Sequence, residues 1–452
     1  MSASLPGSRP AASHMLDQAE RRTMLYSTLF RVGGTPIIAV AGLVTTAITI
    51  RATGEIGFGL VALVGSLAVL FPFADLGIGA TVTTACARSA NLREDKAAQA
   101  VIARAYRVLA GVALSVLAVA VTVMAVDGWE TILGIRSGAS DRWAISLAVA
   151  LFGLSIPAGL GLRILVGVDR TPVVVLLMMS NSLLGMTTAV VLYACGIDGI
   201  WFVLPPIVGA LLGNAVGTVV AFRSTGLPPW SRAIRLAENP VSGLLAGSLW
   251  MFLISIGIPF GLQVQRVVLA HRSTPDQLSQ YSLFAQMYAI GWTVFSTAAL
   301  TMWPMFVRRR PDAGATVTLW LRATAAFAAG GLVIAAGLVV LGPWVGKTLS
   351  TGQIATPVAL ASAFAALLVL QCAHLPSGML LTTPREARWQ AGCMAAMAAI
   401  TLVGAVLVAP RFGAIGVVVV TAGAVLIGQL IPDLLGVPRL VKQRRTIDGV
   451  TT

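Results

Sequence analysis

Acidic residues are the first thing this chain is short of. It has 452 residues but only 17 Asp and Glu, and charged residues of both signs make up 11% of the whole. A water-soluble domain carries about 25% charged residues, so this chain cannot cover a surface that faces water. Cysteine and histidine are scarcer still, at 4 and 3 residues. Cys86, Cys195, Cys372 and Cys393 stand apart, in or beside apolar runs and without metal-ligand spacing, which speaks against a zinc site and against a disulfide framework. Of the histidines, only His374 lies inside an apolar run. No D-x-D, H-E-x-x-H or G-x-G-x-x-G pattern occurs. That leaves an enzymatic reading weak, and no metal or cofactor is expected.

Apolar residues fill the space that charge vacates. They make up 57% of the chain, and the mean hydropathy is +0.88. A helix needs about 20 such residues to cross a bilayer. About twelve stretches qualify: 32–50, 56–74, 108–126, 143–162, 172–194, 200–222, 243–265, 281–303, 323–345, 356–381, 389–409 and 413–437. The fold class is therefore an all-α polytopic membrane protein. The 46 glycines agree with it, because small residues let membrane helices pack closely. The first twenty residues are polar and small, with no apolar core or cleavage signature, and read as a cytoplasmic tail entering the first span.

The net charge of +14 would suggest nucleic acid in a soluble protein. Here the basic residues collect in loops on one side, as the positive-inside rule requires, so no nucleic-acid partner is expected. With the N-terminus inside, most of the 31 Lys and Arg fall on the cytoplasmic side. The outside keeps Arg51, Arg136, Arg142, Arg266, Arg272, Lys347 and Arg411. Both termini are then cytoplasmic. The basic triplet at 308–310 and the tail after 438 suit anionic lipid headgroups.

The chain also repeats. Arg51, Glu55 and Phe58-Gly59-Leu60 match Arg272, Asp276 and Tyr281-Ser282-Leu283, each set opening a new apolar run. GIDGIW at 196–201 matches GAIGVV at 413–418. Two copies of six spans follow, with parallel orientation and a site at their interface. The expected organisation is a tail at 1–30, a first six-helix lobe at 31–223, a cytoplasmic linker at 224–240, a second lobe at 241–438 and a basic tail at 439–452. The two lobes would enclose a central lumen.

The order of these pieces resembles a known family. Arg51, Gly54, Gly57, Phe58 and Gly59 are followed by Asp75, Leu76, Gly77 and Gly79, then by a basic loop, by LVGVDR at 165–170 and by Pro304-Met305-Phe306. The chain is similar in this to the Wzx-type polysaccharide flippases of the multidrug/oligosaccharidyl-lipid/polysaccharide exporter superfamily. The resemblance covers nearly the whole chain, though each motif is short. It implies two six-helix lobes in a V and a polyprenyl-diphosphate-linked glycan as cargo, typically carried on undecaprenyl diphosphate. That cargo would move from the inner to the outer leaflet of the bacterial cytoplasmic (inner) membrane. Membrane lipids and glycan-biosynthesis enzymes are the other expected partners. The seventh span departs from the family by reading G-L-Q-V-Q-R where an acid is common. The drug- and cation-exporting branch of the superfamily stays open as an alternative, although no mid-span carboxylate is evident and Asp433 reads as a span-end residue. A membrane glycosyltransferase or polymerase stays open as well.

A flippase must pass an anionic head through hydrocarbon, which requires cations in a wet cavity. Arginine suits a diphosphate, because its planar fork meets two oxygens at once. The candidate substrate-binding residues are Arg31, Arg51, Arg266 and Arg272, with Gln263, Gln286 and Asn181 for the sugars. Gln265, Tyr288 and Trp292 extend the polar set. Asp75 and Arg88 are candidates for an inner gate.

Overall fold

A computed structural model describes residues 18–70, 78–89, 91–133, 138–168, 170–227, 253–254, 257, 260–299, 302–309, 312–381 and 383–448. The first half contains α1 (Gln18–Leu70), α2 (Ile78–Arg88), α3 (Lys96–Ala125), the short α4 (Trp129–Leu133), α5 (Ala139–Ala158), α6 (Leu160–Gly167), α7 (Thr171–Ala194) and α8 (Leu204–Thr225). The second contains α9 (Gln265–Arg272), α10 (Pro275–Ala299), α11 (Met302–Arg309), α12 (Ala313–Leu349), α13 (Val358–Leu380), α14 (Pro384–Val425) and α15 (Ile431–Asp448). A π-helical turn, Leu426–Leu430, joins α14 to α15.

Eight helical stretches among the described residues are long and apolar enough to cross a membrane. Two of them, Pro36–Ser66 and Arg385–Gln443, each hold two spans run together through a sharp break. The breaks fall at Gly54 (φ 71°, ψ −177°) and Gly413 (φ 53°, ψ −141°). The span of α10 is less apolar, since Gln277, Gln280, Gln286, Ser279 and Ser282 interrupt it. Most of the seventh span lies outside the described residues, which include its end as α9. The protein is an all-α polytopic membrane protein of two six-helix lobes about a central lumen.

The repeat read in the sequence has a backbone cause. Gly196 and Gly199 have φ of 71° and 68°, and their mate Gly413 is likewise left-handed. These positions reverse the chain between consecutive spans, a geometry that a Cβ penalises. Gly54→Ala should therefore cost about 1–3 kcal/mol even though no neighbouring atom obstructs the new methyl. Gly111→Ala, in ordinary helix and equally unobstructed, should be neutral or stabilising by up to about 1 kcal/mol. Thermal unfolding of the two variants in detergent checks the contrast.

The lobes meet at the end that carries these reversals, called here the hinge end. Ile50 and Phe58 of α1 pack with Leu283 and Ile354 of the second lobe. Ser279 Oγ donates to the Glu55 carbonyl at 2.7 Å. Gly59 leaves the room in which Leu278 and Ser279 sit. At the opposite end, where α1 begins and α15 finishes, the lobes keep separate cores. One is built on Ile102, Leu109 and Ile164, the other on Phe306, Trp320 and Val437. Among the described residues, the two lobes are thus packed together at the hinge end and keep separate cores at the tail end. Exposed apolar side chains such as Val121, Leu332, Val333 and Leu407 face outward, where a bilayer accepts them. Between α2 and α3 the chain is polar. There Asp95 caps α3, and the Ala98 N–H it accepts holds its carboxyl below the ordinary carboxylate range.

Candidate functional site

A cavity of about 470 Å³ opens between the lobes. One wall comes from α1, a second from α7 and the start of α8, and the third from α9 and α10 of the other lobe. Helix α1 presents Thr45, Thr46 and Thr49 to it. Their hydroxyls donate to the carbonyls of Ala41, Gly42 and Thr45, four residues back. That wall is polar but already satisfied within its own helix.

The facing walls are different. Arg266, Asn181 and Ser282 all line the cavity. Arg266 Nε, Asn181 Oδ1 and Ser282 Oγ are all buried and none has a hydrogen-bond partner. More than about nine in ten buried polar groups are partnered in folded proteins. Three orphans on one cavity therefore mark a place for a polar ligand.

Arg266 is the centre of this set. Its Nη1 donates to Gln263 Oε1 at 3.0 Å, and its guanidinium lies over the Tyr281 ring at 5.7 Å. Tyr281 is fixed in turn by Phe364, at 5.3 Å between ring centroids. No carboxylate pairs with Arg266 among the described residues. The π contact returns about 0.5–2 kcal/mol, less than the several kcal/mol that burying an ion costs. The site therefore attracts anions.

Asn181 is held by close approach of α7 and α8. A Cβ on Gly209 would meet the Asn181 carbonyl, and one on Gly213 would occupy the Asn181 side-chain amide itself. Gly213→Ala should therefore displace Asn181 and reproduce the transport loss of Asn181→Ala. The double variant should be no worse than either single, because both remove one interaction. Initial transport rates of the three variants test this, and additive losses would contradict it.

Of the residues expected from sequence, Arg266, Gln286 and Asn181 line the cavity together. Gln263 supports Arg266 from the side. Gln286 lies across from Gly42, where the two lobes touch. Arg51 and Arg272 are exposed near the hinge end and do not line this cavity. Arg31 lies on α1 and Arg88 ends α2, but their side chains are outside the described set, as is Asp75 altogether. Gln265 is 1% exposed and ties helices instead, donating to the Gly261 carbonyl and to Thr421 Oγ1. Tyr288 bonds Gln371. Asp433, read from the sequence as a span-end residue, is 1% exposed in the second lobe and paired with His374. Ser282 and the α1 threonines were not singled out as ligand contacts. The spacing of Thr45, Thr46, Thr49 and Thr53 on one helical face was the available signal.

Two lobes, a cavity at their interface that carries unpartnered polar groups, and one closed end define a membrane transporter of the flippase and exporter type. The chain belongs to the polysaccharide biosynthesis protein family, whose model matches residues 25–309. Among solved structures, it is similar to an inward-facing multidrug resistance MATE family transporter of the MOP superfamily. That match has a TM-score of 0.61 and 15% identity and covers 92% of this chain and 99% of that one. The outward-facing form of a MATE family transporter gives 0.62 and 14%, covering 94% and 96%. The lipid II flippase MurJ, in an inward closed conformation, gives 0.59 and 13%, covering 89% and 86%. At these identities the likeness is one of fold. No curated protein sequence matches the chain.

Proposed function

We propose that the protein moves a lipid-linked oligosaccharide, carried on a polyprenyl diphosphate, from the inner to the outer leaflet of a bacterial cytoplasmic membrane by alternating access. The observation that carries this reading is Arg266 on the cavity between the lobes, whose Nε is buried without a partner and which no carboxylate among the described residues pairs with. A diphosphate supplies the missing charge and accepts two hydrogen bonds from a guanidinium fork. Asn181, Ser282 and Gln286 offer donors and acceptors for sugar hydroxyls.

A second feature fits the lipid part. An apolar cleft of about 350 Å³, lined by Leu43, Ile334, Leu338 and Leu341, adjoins the polar cavity and shares Ile290 with it. A prenyl chain needs only such a greasy passage while its head crosses. The excess of Lys and Arg in the loops at the tail end supports a cytoplasmic location for that end. On this reading cargo enters from the inside, between lobes at 31–223 and 241–438.

The test is transport by the purified full chain in proteoliposomes, using a polyprenyl-diphosphate glycan with a fluorescent sugar that an external reagent can quench. Protein-dependent protection or exposure of the label supports the reading. No movement of the glycan lipid, with efflux of cationic dyes instead, would replace it by the drug-exporter alternative. Product formation from glycan donors in detergent, where no leaflets exist, would replace it by an enzyme.

A further inference from the structure

The two ends of the cavity differ in the hydrogen bonds they have left to give. Helix rise places Arg266 about 9 Å along α9 from its end at Arg272, and Ser282 about 11 Å along α10 from its start at Pro275. Both lie on the hinge side of the cavity. Ser282 directly precedes Leu283, which belongs to the core that packs the lobes together there. Arg266 is the one cation among the described residues that line the cavity, and no carboxylate is among them. Ser282 Oγ is buried and makes no hydrogen bond, so its O–H remains free to donate.

Farther from the hinge the wall is neutral and its hydroxyl donors are spent. Thr45 lies about 14 Å along α1 from the break at Gly54, and Thr293 about 27 Å along α10 from Pro275. Thr45 donates to the Ala41 carbonyl at 2.8 Å, Thr46 to that of Gly42 at 2.9 Å and Thr293 to that of Ala289 at 2.7 Å. A hydroxyl that has given its proton keeps its lone pairs. It can accept from a sugar O–H, but it has nothing to give to a phosphate oxygen. The amides of Asn181 and Gln286 stand between the two regions and can serve either.

The closed end sets a direction. Beyond Arg266 toward the hinge, the lobes pack through Ile50, Phe58, Leu283 and Ile354, and Ser279 Oγ holds the Glu55 carbonyl. A diphosphate held by Arg266 and Ser282 has no room past it for sugars. At the tail end the lobes keep separate cores. The cavity's 470 Å³ falls in the range of roughly 300–1,000 Å³ that takes a drug-sized molecule. That suits a diphosphate with its adjoining sugar, and a longer glycan continues toward the tail end.

We propose that the cargo lies in the cavity with its diphosphate toward the hinge end and its glycan trailing toward the tail end, so that the phosphates lead the passage. Arg266 and Ser282 form the phosphate subsite, while Thr45, Thr46 and Thr293 line the sugar subsite. The prenyl chain leaves sideways through the apolar cleft, which meets α10 between Met287 and Val294. When the lobes part at the hinge end, the phosphates are the first polar groups of the cargo to reach water there. The glycan follows through the opened cavity. This polarity rests on the glycan-lipid reading given above.

The test uses the unaltered full chain in lipid nanodiscs and two synthetic polyprenyl-diphosphate disaccharides. One carries a diazirine on its terminal sugar, the other on the prenyl unit next to the diphosphate. Light fixes each probe to its neighbours, and mass spectrometry locates the new bonds. The terminal-sugar probe should mark Ile38, Ala39 or Thr293, and the prenyl probe Ser282 or Met287. A terminal sugar fixed to Thr49, Phe58 or Ser282 overturns the polarity and leaves the cargo reading intact. Adducts that excess unlabelled glycan lipid does not displace remove the cargo reading, and this polarity with it. Competition by free fragments checks the two subsites separately. Ser282→Ala should weaken inorganic pyrophosphate as a competitor by about tenfold or more, the worth of one hydrogen bond to an ion, and leave the free disaccharide unchanged. Thr293→Val should weaken the disaccharide alone. A pyrophosphate loss in Thr293→Val that equals the one in Ser282→Ala overturns the division.

Discussion

Arg266→Met abolishes glycan-lipid transport and leaves the protein as stable as before, or more stable. Both halves of this expectation come from one fact. The guanidinium is buried on the cavity wall, its Nε has no partner, and no carboxylate among the described residues balances it. Removing one side of a buried, hydrogen-bonded charge pair costs about 2–5 kcal/mol of binding, which is roughly 30- to 4,000-fold in apparent affinity. Methionine keeps the unbranched stem and its packing but removes the charge. Stability then loses the contact with Tyr281, about 0.5–2 kcal/mol, and regains the burial cost of an uncompensated ion. Arg266→Lys should fall between, since lysine keeps the charge and lacks the planar fork. Transport in proteoliposomes and thermal unfolding of the same preparations measure both quantities. Wild-type transport by Arg266→Met would remove Arg266 from the substrate path. A stability loss large enough to account for the transport defect would make its role structural.

A disulfide between Gly59→Cys and Ser279→Cys stops transport reversibly. These residues come from different lobes and meet at the closed hinge end. A Cβ placed on Gly59 abuts Ser279 Oγ and lies 3.3 Å from its backbone nitrogen. That brings the two Cβ atoms near the roughly 3.5–4.5 Å that a disulfide spans. Alternating access requires the hinge end to part while the tail end closes, so a covalent bond here holds one arrangement. In a Cys195→Ser background, oxidation should reduce transport to background, and reduction should restore it. Each single cysteine variant should respond to neither treatment. Full crosslinking with undiminished transport would mean that the lobes need not separate at this end. Loss of transport in Gly59→Cys alone would point to crowding of Ser279 instead of locking.

Much of the architecture is legible in the chain because hydrocarbon imposes simple rules. Helices must satisfy their own backbone, so apolar runs of spanning length read directly as helices. The span pairs 1–2 and 11–12 show the same thing at finer scale. Gly54 and Gly413 sit where the repeat motifs predicted reversals, and their positive φ values explain why glycine stands there. The seventh span and the Asp75 segment lie outside the described residues.

The site was legible only in part. Arg266, Gln286 and Asn181 were candidates as charged or amide residues in apolar runs, and they converge on one cavity. Arg51 and Arg272 had the same sequence signature, including a repeat match, yet they are exposed. Periodicity alone does not distinguish an arginine at a helix end that reaches for the interface from one that faces a lumen. Asp433 seemed to be at the edge of a span because an apolar window ends near it. The fold buries it there against His374, four residues before Val437 of the tail-end core.

The sequence by itself determined the solvent, the secondary structure and the repeat. Each of these follows from composition and from local backbone freedom, which neighbouring residues decide. Only the tertiary structure decided which polar groups are left without partners. Whether Arg266 is neutralised or open to an anion depends on side chains brought in from several helices of two lobes. The pairing of His374 with Asp433, 59 positions apart, likewise depends on how α13 and α15 cross.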